Sequence, residues 1–189
     1  MNIAIKAALG CALGFIVVGA IVGSGRSTAP PAPSVPPPPD QARFMAAITQ
    51  ARSQFVSAGN ELAAGGIRSA RQQAICSALQ GHQAGGWIAK ISYLSTNGDG
   101  RGVITLELAP GLHVSTWNND LSDIFDKTLI NPDTDLFKSL AVMKRGDTVR
   151  FSGGFFPSDL DCVKEQSVTL GGSMKSPVFA MRFSSIRKL

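Results

Sequence analysis

The run Gly146-Asp147-Thr148-Val149-Arg150-Phe151-Ser152-Gly153-Gly154-Phe155-Phe156 holds the clearest strand signal in the chain. Val149, Phe151 and Phe155 alternate with Arg150, Ser152 and Gly154. A period of two sends one row of side chains inward and the other outward. Gly153 and Gly154 interrupt the row at a place suited to a bulge or a sharp bend. The stretch reads as one wall of a small closed barrel.

Similar patterns lie on either side. Toward the C-terminus, residues 157–177 form a long connection with a short strand expected near 167–170. Residues 178–186 follow as a strand with Phe179, Met181 and Phe183 on one face. Toward the N-terminus, Leu136, Leu140 and Met143 mark a helix over 133–143, and 118–131 is an acidic connection with local helical character. Residues 112–117 are a strand with Leu112 and Val114 inward and His113, Ser115 and Trp117 outward. Residues 103–109 are another, with Ile104, Leu106 and Leu108 inward. In residues 87–95, Trp87, Ala89, Ile91 and Tyr93 are expected on the inner face. The glycine-rich turn at 97–102 and Pro110-Gly111 join these strands as hairpins.

The order is three strands, a helix and two strands, in a chain that is mainly β with helices. It matches the five-stranded OB-fold barrel, β-β-β-α-β-β, with the helix plugging one end. Over residues 87–186 the chain resembles the small OB-fold proteins grouped as tRNA-anticodon-binding-like. The strand order carries the resemblance, together with the 140–152 stretch and its Lys144-Arg145-Gly146-Asp147. Many such proteins are bacterial envelope proteins with an N-terminal anchor, so the resemblance implies a barrel held at a membrane. It does not fix the ligand, because the fold serves many.

Four segments are expected: 1–23, 24–40, 41–81 and 82–189. In the third, Asp40 is a candidate N-cap for a helix carrying Phe44, Ile48, Ala51 and Phe55 at helical spacing and ending near Gly59. A second helix is expected from 68 to 80, with Gly81 as its stop. The pair would cover the barrel or bridge it to the linker. The 24–40 segment holds Pro30, Pro31, Pro33 and Pro36 through Pro39, the composition of a semi-rigid extended spacer.

Residues 7–22 carry no charge, and the apolar run counted from residue 3 to 22 is long enough to cross a bilayer, with Lys6 at its edge. Two readings compete. One is a retained single-pass anchor. The other is a cleaved signal peptide ending near Val18-Gly19-Ala20, which would release the domain to the periplasm. Lys6 and the amino terminus lie on one side of the run, Arg26 on the other, which favours a bacterial inner-membrane protein with its large domain in the periplasm. Gly10 with Gly14, and Gly19 with Gly23, have the spacing that lets two membrane helices approach and self-associate.

The net charge of +5 is mildly basic and compatible with an anionic partner. Cys76 and Cys162 lie outside the apolar run. In an oxidising compartment they can pair, tying the second helix to the connection after the fourth strand; a buried free thiol is the other reading. Cys76, His82 and Cys162 lack metal-site spacing, so no metal or cofactor is expected. No nucleophile elbow, phosphate loop or dinucleotide fingerprint is present, so no catalytic residue is assigned. Asp120, Asp123 and Asp126 are expected to cap turns and hydrate a surface. The possible ligand face comprises Lys90, Arg101, His113, Trp117, Arg150 and Arg182, with Lys164 and Lys175 in the last connection.

The expected function is a membrane-anchored, extracytoplasmic OB-fold module that binds a protein or small molecule, or acts as a scaffold, without catalysis. A single-stranded nucleic-acid binder at the membrane is the first alternative. An enzyme of unknown class is the second.

Overall fold

Pro38 and Pro39 start the first helix, α1 (Pro39–Val56), because proline's fixed φ suits the first helical position and its missing donor is not needed there. The computed structural model describes residues 35–189 except Gln80. The apolar run at 3–22, with Gly10, Gly14, Gly19 and Gly23, and the spacer up to residue 34 lie outside the described residues. Among those described, no helix is long and apolar enough to cross a membrane.

Asp40 is not the expected cap. The cap is Pro38 and the helix begins two residues earlier than an Asp40 cap would set it, so Asp40 stands inside the first turn and its carboxylate accepts from Trp87 Nε1 at 2.8 Å. The second helix, α2 (Glu61–Ala78), starts earlier than the expected residue 68. Asn60 caps it by accepting from the Ala63 amide at 2.9 Å. Gly65 and Gly66 lie within α2, where each glycine costs about 1 kcal/mol relative to alanine. The cap and the burial of Ala64, Ile75 and Ala78 offset that cost.

The strands are β1 (Gln83–Thr96), β2 (Gly102–Ala109), β3 (Leu112–Ser115) and β4 (Thr148–Phe155), the two-residue pair β5 (Pro157–Ser158) and β6 (Cys162–Val163), and β7 (Val178–Lys188). Between β3 and β4 lie α3 (Asp120–Asp123) and α4 (Asp135–Ala141), and α5 (Leu170–Lys175) precedes β7. Five strands close into a barrel in the order β1-β2-β3-β7-β4. Their pairings are antiparallel except β3 with β7, which is parallel.

The inward rows are those the alternation predicted, with two exceptions. Tyr93 points outward and is 51% exposed, because the β1–β2 register shifts between Ile91 and Tyr93 and brings Leu94 toward the core instead. Leu108 is only half-buried, since a second shift falls between Glu107 and Ala109. Gly153 does sit at a bend: the β4–β7 register shifts between Ser152 and Gly153. A Cβ on Gly153 would lie 2.5 Å from the carbonyl oxygen of Arg182.

Both ends of the barrel are stopped. Phe44 of α1 is fully buried, with ring centroids 5.2 Å from Trp87, 5.2 Å from Phe179 and 5.6 Å from Phe155. At the far end of β1, α4 buries Leu140 and lays Phe137 over Gly102, where a Cβ would come within 3.2 Å of the ring. The expected helix between the third and fourth strands is therefore present, shortened to Asp135–Ala141.

The connection after β4 departs from expectation. It holds the β5–β6 pair and α5, and no strand covers 167–170. Lys164 and Gln166 instead line up beside the start of β7: the Ala180 amide donates to Lys164 O at 2.9 Å and the Gln166 amide to Val178 O at 2.8 Å. Cys76 and Cys162 form a disulfide with Cα atoms 5.5 Å apart, fastening α2 to β6. Beside it, Asp161 accepts from Arg68 Nη2 at 2.5 Å and from Arg71 Nη2 at 2.5 Å, and Arg71 Nη1 donates to Ser173 O at 2.6 Å. Residues 35–189 thus form one compact unit in which the two helices share the barrel's core.

Candidate functional site

The outer face of β1, β2 and β3 is built by the register. Tyr93 stands opposite Thr105, which stands opposite Ser115; Lys90 stands opposite Glu107, which stands opposite His113. The Thr105 and Ser115 hydroxyls are 2.9 Å apart, which ties the first row across the sheet. Beyond the end of β3, Trp117 closes the face. A groove of about 520 Å³ lies among Tyr93, Thr105, His113, Trp117, Asn118 and Gln166.

The loop after β3 sets the indole. The Trp117 amide donates to Thr128 Oγ1 at 2.8 Å, and its Nε1 donates to Asp126 Oδ2 at 2.8 Å. Asp123 holds that loop from within, accepting from the Thr128 amide at 2.6 Å, the Thr128 hydroxyl at 2.7 Å and the Leu129 amide at 3.0 Å. Asp120 pairs with Arg101 and accepts from Asn97 Nδ2 at 2.8 Å. The acidic set spaced by threes fixes turns at Asp123 and is partner-bound at Asp120 and Asp126. It does not hydrate a surface as expected: Asp123 and Asp126 are buried, because each carboxylate is engaged in hydrogen bonds within the fold. Among the described residues, no group of His, Cys, Asp and Glu side chains is arranged to hold a metal. The Cys76 and Cys162 sulfurs are bonded to each other, with His82 Nε2 3.9 Å from Cys162 Sγ.

The six residues expected on one ligand face are divided. His113 and Trp117 share the groove, and Lys90 lies in the His113 row with Glu107 between them. Arg101 belongs to the β1–β2 turn and is bound to Asp120. Arg182 donates to the Asp126 backbone carbonyl and lies 5.4 Å from the Phe156 ring centroid. Arg150 is on β4, opposite Ile88, with Nη1 3.3 Å from Gly86 O. Lys164 is held by Asp126 at 2.7 Å and 2.8 Å, and Lys175 lies over the Phe55 ring on α1.

Tyr93 and Gln166 were not anticipated in this groove. Strict alternation places Tyr93 inside; the bulge that turns it outward leaves no mark in the side-chain pattern. Gln166 arrives from the long connection, with Nε2 3.3 Å from Thr116 O. The lining is aromatic, hydroxyl and amide in character and carries no fixed charge. It can stack a ring face on Tyr93 or Trp117 and exchange hydrogen bonds with hydroxyls. Ser115 Oγ, with one proton to donate, lies 2.8 Å from Thr116 O and 3.0 Å from Ile104 O.

No family model, curated protein or solved structure matches the chain.

Proposed function

We propose that the protein is an OB-fold binding module, tethered to a membrane by residues 3–22 and facing an oxidising compartment, that takes an uncharged ring-bearing ligand on the outer face of β1–β3. The observation that carries this reading is the groove itself: Tyr93, His113 and Trp117 surround hydroxyl and amide groups, while the nearby cations Arg101 and Lys164 are paired with carboxylates. The strand order and the parallel pairing of the third strand with the last support the OB-fold assignment. The Cys76–Cys162 bond supports the compartment. The charge-free run at 7–22 supports the tether.

The proposed role is binding rather than catalysis. A short chito-oligosaccharide is a suitable neutral probe, since it offers both ring faces and hydroxyls. Isothermal titration calorimetry should show saturable binding that is insensitive to salt and lost in Trp117→Ala. Tight binding of an oligothymidylate that weakens steeply with salt would instead favour the single-strand nucleic-acid reading.

A further inference from the structure

A second face of the barrel remains without a role. Arg150 of β4 stands opposite Ile88 of β1 on one side and Arg187 of β7 on the other. Lys90 is two residues along β1 on the same outer face, opposite Thr148. Lys90, Arg150 and Arg187 are all exposed, and among the described residues no carboxylate lies within 4.0 Å of their nitrogens. The adjoining turn adds exposed Lys144 and Arg145, while its Asp147 is occupied by Lys188 at 2.9 Å. Glu107, across from Lys90, bounds the patch.

At the other end of this face the chemistry changes. Gly154 stands between Gln83 and Arg182, and Phe125 of the loop after α3 lines the same depression. Phe125 is 88% exposed, an unusual condition for a phenylalanine with no polar tip. Arg150 and Gly154 are four residues apart along β4, about 13 Å. The face thus offers a field of unpaired cations and, about half a strand away, an apolar ring.

We propose that this outer face of β1, β4 and β7 docks on an anionic phospholipid bilayer, with Lys90, Arg150 and Arg187 against headgroups and Phe125 in the interface. Charge complementarity favours the partner, since clustered Lys and Arg near an anionic leaflet are attracted with every added charge. An exposed apolar ring beside them is the other half of interfacial binding. α1 leaves the cations uncovered: its first turn is fastened to the β1 backbone, where the buried Gln41 exchanges hydrogen bonds of 2.6 Å and 2.8 Å with Ile88, while Lys90, Arg150 and Arg187 stay exposed. Single-stranded nucleic acid is the less suited partner, because the strand positions among the cations are Ile88, Thr148, Ser152 and Ser185, which give no stacking platform.

The test uses residues 35–189, a compact unit with its own core and disulfide, so that neither the apolar run nor the groove's ligand is involved. It therefore fails or succeeds independently of the proposed tether and groove. Sedimentation with phosphatidylcholine vesicles containing about 30% phosphatidylglycerol should show binding that pure phosphatidylcholine does not, and that about 0.5 M salt releases. Arg150→Ser with Arg187→Ser should weaken it at least tenfold, on the order expected for two lost surface charges. Lys90→Ser with Arg187→Ser, which spares the Arg150–Gly86 contact, should do nearly the same. Phe125→Ser should weaken it severalfold without changing the salt slope. Equal partition onto both vesicle types, or binding indifferent to both double variants, would overturn the proposal. So would oligothymidylate binding that needs these cations while anionic vesicles are ignored.

Discussion

Trp117 and Asp126 are joined by a 2.8 Å hydrogen bond from the indole nitrogen, and the same carboxylate holds Lys164 at 2.7 Å and 2.8 Å. One buried aspartate therefore fixes the ring that closes the groove and removes a cation from it. Asp126→Ala should lower stability by about 2 kcal/mol, since it strands a half-buried indole donor and an ammonium. It should also shift tryptophan emission to the red and raise oligothymidylate affinity through the freed Lys164. Unchanged emission would show that the indole is held by packing alone.

The Arg68–Asp161–Arg71 cluster is a stability device. Arg71 is 1% exposed, and its removal leaves Asp161 with Arg68 alone. Arg71→Ala should cost about 3 kcal/mol in denaturant unfolding, the usual result of breaking a buried pair from one side.

The same cluster has a signed pH dependence. Burial by itself raises the Asp161 carboxyl, but hydrogen bonds from Arg68 and Arg71 outweigh it and hold its pKa below the usual aspartate range. A depressed folded-state value gives a contribution that is complete above the unfolded pKa, roughly 3.9, and is lost as pH falls through the folded value. Asp161→Asn should therefore destabilise the protein at neutral pH and flatten the loss of stability below about pH 4. Thermal melts across that range, wild type against variant, provide the check.

The disulfide closes a sequence separation of 86 residues. The chain-entropy relation gives about 4.5 kcal/mol for such a loop, an upper figure for its effect on stability. Cys76→Ser with Cys162→Ser should lower the melting temperature markedly while leaving near-ultraviolet signals of the Phe44–Trp87 cluster in place below the transition. Loss of those signals at low temperature would mean the bond is needed for the helices to seat at all.

Gly153→Ala tests the barrel bend. A Cβ there meets the Arg182 carbonyl oxygen at 2.5 Å, and that contact is with backbone rather than a flexible side-chain end. The substitution should cost about 2 kcal/mol or more by overpacking. Gly65→Ala, in open space within α2, should instead stabilise by up to about 1 kcal/mol.

The barrel was legible where alternation is unbroken. Val149, Phe151, Phe155, Phe179, Met181 and Phe183 are all buried, in the rows the period of two assigns. Gly153-Gly154 marked a bend because only a glycine tolerates so close a backbone. Tyr93 was misplaced because a bulge is a backbone event that shifts register without changing residue types. The start of α2 was hidden by Gly65 and Gly66, whose low propensity is outweighed by the Asn60 cap and by burial against α1 and β6. The β5–β6 pair is two residues wide, too short to leave a period. At the site, His113 and Trp117 stood out as outward residues at the end of the sheet. The acids that occupy Arg101 and Lys164 are distant in sequence, so adding up cations overstated the charge available to a ligand.

The seating of α1 has a mechanical consequence. Tension drawn through the chain before Pro38 first meets the Asp40 carboxylate on Trp87 and the doubled Gln41–Ile88 bonds, with Phe44 lodged in the barrel's end behind them. These fastenings share the strain at one turn of helix instead of yielding one after another. The helix works as a bolt through the end of the barrel, and a pull from ahead of Pro38 is carried into β1 and the aromatic core rather than unravelling the helix from its tip.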